Sequence, residues 1–275
     1  MNTCHRMLQV AVLAVALASV VWAQETATPP EITIDGERLC PLVDGEPFFA
    51  IGACGIPADQ MPVAAEAGFN LAVRWSPPGQ LRAKMVKGDD AARVLLREYF
   101  DAAQASGMLA IETPVFISPE SLRYADPAFH DNFTRFIEQS LPFLVNSVRD
   151  HPALFGYYGP DEPGPDQHAD CVAYSRAVRE LDPEHPLFFL YCRDVPEWPE
   201  GHDIAGRDYY ATRGGKTIVS IVRAAQRSAQ SAHEQNVPFW HMPLMHIWSG
   251  ARMRPISPEL QRAQVYLGLI GVFSA

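Results

Sequence analysis

Residues 151–164 read His-Pro-Ala-Leu-Phe-Gly-Tyr-Tyr-Gly-Pro-Asp-Glu-Pro-Gly. An apolar run ends in two adjacent carboxylates, Asp161 and Glu162, and a Pro/Gly turn follows at once. A short apolar, aromatic run bounded by turn residues reads as a buried strand. Tyr157 and Tyr158 give the carboxylates a low-dielectric wall, and such a wall raises a carboxyl pKa. A carboxylic acid that keeps its proton near neutral pH can protonate the oxygen that leaves when a glycosidic bond breaks. The bland reading is a polar turn, with Asp161 capping a short helix and Pro163 opening it. The position at a strand's C-terminal end favours chemistry.

The elements that would position this pair alternate along the chain. Strands are read at Phe48–Ala53, Phe69–Trp75, Met108–Thr113, Leu154–Gly159, Leu187–Cys192, Asp203–Tyr209 and Pro238–Met242, with an eighth starting near Ile270. Most are short apolar runs, as expected of strands buried on both faces. Helical periodicity links Phe129, Phe133, Phe136, Ile137, Leu144 and Val148, and again Ile218, Ile221, Val222, Ala225, Ala229 and Ala232. Asp89 or Asp90 is placed to cap the helix carrying Val94, Leu95 and Tyr99. Gly68 and Gly107 sit where helices end before strands. Arg193–Gly201 is too short for a full helix. Strand–helix alternation predicts an α/β (β/α)8 barrel, truncated at strand eight because the chain ends at Ala275 before a last helix. Two turn signals, Asp35-Gly36 and Asp44-Gly45, predict an N-terminal β-hairpin over Glu31–Pro47. The division is a signal peptide over 1–23, leader and hairpin over 24–47, and the barrel over 48–275. Active sites of barrels lie at the C-terminal ends of the strands, where Asp161 and Glu162 fall.

The 275 residues suit one such barrel, and a composition 48% hydrophobic supplies its core. The formal net charge is −10, with no Lys/Arg cluster, which argues against nucleic acid as a partner. Arg6 and the apolar run Val10–Trp22 form a targeting segment, with cleavage expected after Ala23. The mature chain is then secreted or periplasmic and has no membrane partner. Cys40, Cys54, Cys171 and Cys192 remain, spaced too widely for a redox or zinc motif. Cys171 and Cys192 are the pair expected to approach within disulfide reach, about 7 Å between Cα atoms.

Three carboxylates are available to work with Glu162: Asp208 at the end of strand six, Glu112 at the end of strand three, and Asp161 itself. An inverting glycosidase needs its pair about 6.5–9.5 Å apart, which separate strands can provide. His241 and His246 point to opposite faces of an uninterrupted strand, and no carboxylate completes a metal triad. No metal or other cofactor is expected, and the histidines read as sugar-binding or core groups. Among Trp75, Trp240 and Trp248, Trp248 is the candidate aromatic platform for a sugar face.

The His-Pro-Ala-Leu…Gly-Tyr-Tyr…Asp-Glu-Pro stretch resembles the fourth-strand signature of bacterial secreted barrels in the clan A glycoside-hydrolase superfamily. Asp44-Gly45-Glu46-Pro47-Phe48-Phe49…Gly52 is similar to their first strand, and Gly68-Phe69-Asn70-Leu71-Ala72-Val73-Arg74 to their second. Asp203-Ile204…Asp208-Tyr209-Tyr210 resembles their sixth, and Pro255–Leu260 through Tyr266-Leu267 the approach to their eighth. The resemblance implies that Glu162 is the general acid/base and that Arg74 orients a catalytic carboxylate. Two departures stand out. Asp161 replaces the usual Asn before the acid/base, and Phe239–Trp248 carries no carboxylate where retaining members have their nucleophile.

The expected activity is hydrolysis of an oligo- or polysaccharide. Glu162 donates the proton, Asp208 or Asp161 activates water or stabilises positive charge, and Arg74 and Tyr209 orient carboxylates. The rival expectation is a non-catalytic carbohydrate-binding barrel. Oligomeric state is left open by the sequence.

Overall fold

A computed structural model describes residues 28–74, 90–113, 129–197, 200–209, 217–243, 246–249 and 252–275. The targeting segment lies outside these residues.

The described chain opens with a small antiparallel sheet of β1 (Ile32–Asp35), β2 (Cys40–Val43) and β3 (Glu46–Pro47), in that order. Its turns form where the sequence signals them. The Asp35 carboxylate accepts the backbone N–H groups of Glu37 and Arg38 at 3.0 and 2.9 Å. Asp44 and Gly45 adopt φ of 52° and 80°, the left-handed pair that a two-residue hairpin turn demands. The expected hairpin thus gains a third short strand.

Seven parallel strands follow in chain order: β4 (Gly52–Cys54), β5 (Leu71–Val73), β6 (Leu109–Glu112), β7 (Leu154–Tyr158), β8 (Leu187–Tyr191), β9 (Ile204–Asp208) and β10 (Phe239–Met242). They pair each with the next, forming a curled half-barrel with β4 and β10 as its edges. Helices α1 (Met61–Glu66), α2 (Asp90–Ala105), α3 (Phe129–Gln139), α4 (Leu141–Val148), α5 (His168–Leu181) and α6 (Ser220–His233) lie between them. The single periodic stretch over Phe129–Val148 becomes two helices because Pro142 opens α4 and lacks the N–H that continuity requires. From β8 to β9 the described residues contain no helix. After β10 come a hairpin of β11 (His246–Ser249) and β12 (Arg252–Pro255), then α7 (Pro258–Phe273). No described helix is long and apolar enough to cross a membrane.

Alternation along the strands sorts their side chains into two cores. Leu71, Val73, Ile111, Phe155, Phe188, Leu190 and Ile204 face one side, where Ile32 of β1 joins them and Phe48, Trp240 and Met242 pack against them. The rings of Phe155 and Phe188 lie 5.7 and 5.1 Å from that of Trp240. Ala72, Ala110, Leu154, Leu187, Phe189 and Ala205 face the helices, against Leu96, Phe100, Leu144, Tyr174 and Ala229. Each fully buried large side chain contributes about 1.5–3 kcal/mol, so both faces of the sheet hold the strands in place.

Two expectations are corrected. The eighth strand near Ile270 is absent, because that run belongs to α7, so the sheet is a seven-stranded half-barrel and not a full barrel. Ser257 caps α7 by accepting the N–H of Leu260 at 3.2 Å, and Pro258 occupies the first turn. Gly268 and Gly271, three apart, then share one helix face. A Cβ at Gly271 would lie 2.7 Å from that of Ala225, so bare glycine lets α7 settle on Ala-rich α6. The expected Cys171–Cys192 disulfide is also absent. All four described cysteines are free thiols. Cys171 is buried in the helix-side core, whereas Cys192 lies in the electrostatic field of Glu162 and Asp208.

Candidate functional site

The segment that carries Asp161 and Glu162 is shaped by an irregularity in β7. Leu154 pairs with Ala110 and Gly156 with Ile111, so Phe155 is an extra residue against β6. Such a bulge reverses the alternation that follows it. Phe155 and Tyr158 consequently share the sheet face opposite the helices, while Tyr157 turns to the helix side. The Tyr158 hydroxyl then reaches past the strand end and donates to Asp161 Oδ1 at 2.6 Å.

Beyond Tyr158 the chain stays pinned to β8. Gly159 donates its N–H to Phe188 O at 2.8 Å, and Glu162 donates to Leu190 O at 3.0 Å. Only glycine fits at 159, since a Cβ there would sit 1.9 Å from the Phe189 ring. Glu162 has φ of 46°, a left-handed backbone uncommon for a side chain of this kind. Strain of this sort costs on the order of 1–3 kcal/mol and clusters at functional sites.

Electrostatics join four strand ends into one neighbourhood. Asp161 is pushed up to about 7, by burial first and by the Glu162 charge, against the opposing Tyr158 hydrogen bond. The Tyr158 phenol is driven well above its ordinary value by burial, with Asp161, Cys54 and Asp208 adding to it. Cys54, ending β4, keeps an exposed surface, yet the atoms crowding its thiol push it up to about 12, with Asp161 and Asp208 adding to this. Burial raises the Cys192 thiol too, with Glu162 and Asp208 in the same direction and Arg193 against. Asp208, closing β9, is 7% exposed. Asp161, Glu162 and Asp208 thus sit together at the C-terminal ends of the parallel strands, flanked by Tyr158, Cys54 and Cys192. The two thiols carried no motif in the sequence, and Tyr158 faces the carboxylates only because of the bulge.

The other expected site residues lie elsewhere. Arg74 donates to Glu112 Oε2 at 2.8 Å and to Leu96 O at 3.2 Å, with its guanidinium 4.9 Å from the centre of the Tyr99 ring. That places the pair on the helix side, between β5, β6 and α2. Glu112 is fully buried, and burial raises its pKa despite Arg74. Tyr209 hydrogen-bonds Ser220 Oγ at 2.9 Å at the start of α6, and Arg207 covers its ring. The His241 ring packs on Gly268 of α7, and burial lowers its pKa to about 4. Trp248 stands on β11, opposite Met253 of β12, in a sheet separate from the half-barrel. Trp75 and Tyr210 lie outside the described residues. Among the described residues no group of three or more His, Cys, Asp or Glu side chains could hold a metal ion.

No protein-family model matches the chain, and no curated protein matches it in sequence. Solved structures do share its fold. A β-glucuronidase of an uncultured Clostridium species matches with a TM-score of 0.61 at 14% identity, covering 90% of this chain and 45% of its own. A β-galacturonidase of Eisenbergiella tayi, bound to galacturonate, matches at 0.61 and 16%, with coverages of 90% and 45%. The β-glucuronidase of Ruminococcus gnavus matches at 0.61 and 11%, with coverages of 90% and 44%. The chain therefore spans less than half the length of these glycoside hydrolases. At such identities the likeness is one of fold.

Proposed function

We propose that the protein hydrolyses glycosidic bonds in a carbohydrate substrate by carboxyl acid–base chemistry. The observation that carries the reading is the pair Asp161–Glu162 at the end of β7, where burial and the Glu162 charge push Asp161 up to about 7, with Asp208 at the end of β9 acting on the same Tyr158 phenol. A protonated carboxyl and an ionised one, held apart by their surroundings, are the two groups a glycosidase needs. The pair supplies the proton to the leaving oxygen, with Glu162 the donor to which the sequence resemblance points. Asp208 activates water or stabilises positive charge at the anomeric carbon. The fold shared with β-glucuronidases and a β-galacturonidase supports a sugar substrate. The Arg6 and Val10–Trp22 pattern supports export, so the substrate is extracytoplasmic.

The test is a hydrolysis screen over a glycan panel with wild type, Glu162→Gln, Asp161→Asn and Asp208→Asn. Hydrolysis by the wild type is expected to fall by about 100-fold or more when the proton donor is removed, the usual yield of general acid catalysis. Unaltered rates in all three variants would end the proposal. The second reading is carbohydrate binding without turnover, favoured by the lack of any carboxylate in Phe239–Met242 of β10. Saturable glycan binding in calorimetry without product would select it.

A further inference from the structure

We propose that Tyr157 and Asp182 are positioning residues: their hydrogen bond, on the helix side of β7, locks the extra residue of that strand in register and so keeps Tyr158 and the Asp161–Glu162 pair at the site. The use of those carboxyls rests on the glycosidase reading, whereas the lock itself does not. Tyr157 and Tyr158 are adjacent and point to opposite faces of the sheet. Without the extra residue at Phe155, the alternation set by Leu154 would exchange those faces. Tyr157 would then leave the helix side, and the Tyr158 hydroxyl would leave Asp161.

Three contacts from one short segment, residues 182–187, oppose that exchange. The Tyr157 hydroxyl donates to Asp182 Oδ2 at 2.6 Å, with both residues buried. The Tyr157 N–H donates to Pro186 O at 3.0 Å, in register with Leu187. At Gly156 any Cβ would run into the Pro186 carbonyl oxygen, so the strand passes there only with a bare backbone. Asp182 is itself fixed at the end of α5. Its N–H donates to Val178 O at 2.8 Å, and its Oδ1 accepts the Glu184 N–H at 3.2 Å. His185 Nδ1 lies 3.0 and 2.9 Å from its two oxygens, and the His185 ring stands edge-on to that of Tyr157, with centroids 6.3 Å apart. Leaving a buried donor without its charged partner costs more than such a bond gains, so the bond favours the bulged register from the face opposite the carboxyls. The backbone carries that register onward. Gly159 and Glu162 donate to Phe188 O and Leu190 O, and these two bonds hold the loop that bears the pair.

The experiment is native-state hydrogen exchange, read amide by amide by NMR, on wild type, Tyr157→Phe, Asp182→Ala and the double variant. Tyr157→Phe keeps the ring and removes only the donor. Relative to the Ala205 amide, which donates to Pro238 O beyond β9, the Gly159 and Glu162 amides should exchange about 10-fold faster in it, as loss of a bond to a charged group implies. Asp182→Ala should have the same local effect, and the double variant should add nothing to it, because both changes cut one bond. Acceleration shared equally by Ala205 marks a bond that only stabilises the fold, and overturns the proposal. Unchanged exchange at Gly159 and Glu162 overturns it as well. On a cleaved glycan, kcat in Tyr157→Phe should fall about 10-fold with KM unaltered, since the carboxyls are displaced while the rest of the site stands. An unaltered kcat is a third result that overturns it. Local acceleration without hydrolysis of any glycan by the wild type would refute the glycosidase reading and leave the lock standing.

Discussion

Replacing Asp161 by Asn should stabilise the protein above neutral pH while removing its acid chemistry. The folded-state pKa of Asp161 is raised from 3.8 to about 7. Between those values the folded chain binds more protons than the unfolded one, so stability present below about pH 4 is lost as pH rises through 7. At about 1.4 kcal/mol for each pH unit the ceiling is about 4 kcal/mol. Solvent reaching the rim carboxyl reduces this, and about 2 kcal/mol is the working figure. Asn has the same shape, still accepts the Tyr158 hydroxyl through its amide oxygen, and carries no charge. Urea unfolding of both proteins at pH 4.5 and 8 isolates the effect, because every other titrating group is common to them. The wild type should lose about 2 kcal/mol more than the variant between the two pH values. At pH 8 that corresponds to a melting temperature about 4–8 °C higher for the variant. Parallel pH dependences, or a variant less stable at pH 8, would refute the electrostatic account of the site.

Four further outcomes follow from the same physics. His202 and His241 are both lowered to about 4 by burial, so they add stability that is complete above pH 6.5 and lost as pH falls toward 4. Their loss, on the order of 3 kcal/mol each at most, should appear in urea melts as a steep decline over that window, absent in a His202→Gln, His241→Gln double variant. Arg74→Met leaves the fully buried Glu112 without its partner and should cost about 3–5 kcal/mol, measured by chemical denaturation. Gly268→Ala sets a methyl 2.0 Å from the His241 ring and should cost about 1–3 kcal/mol as α7 is pushed off β10. Glu162→Gly removes the left-handed strain and should raise stability by about 0.5–1 kcal/mol in chemical denaturation, a gain that Glu162→Gln, which keeps the strain, should not share, while both variants lose hydrolysis.

Local pattern was enough for most of the elements. Seven of the eight expected strands form, and in β5 to β9 a short apolar run between turn residues has few alternatives once both its faces are buried. Gly68 and Gly107 take φ of 91° and 68° at helix ends, and Asp44-Gly45 makes its turn, because these conformations depend on the residues themselves. The run ending in Phe273 was ambiguous on its own, since an apolar stretch of that length suits strand or helix. The cap at Ser257 and the packing of Gly271 on α6 decided for helix. Side-chain direction at the strand ends was likewise beyond the sequence. One residue more or less in register sends a side chain to the opposite face. The extra residue at Phe155 turns Tyr158 toward Asp161, while regular pairing of β5 and β6 turns Arg74 and Glu112 toward α2. Residue types determined that carboxylates stand at the end of β7. Only the tertiary structure decided which neighbours surround them, because burial and field depend on groups brought in from β4, β8 and β9.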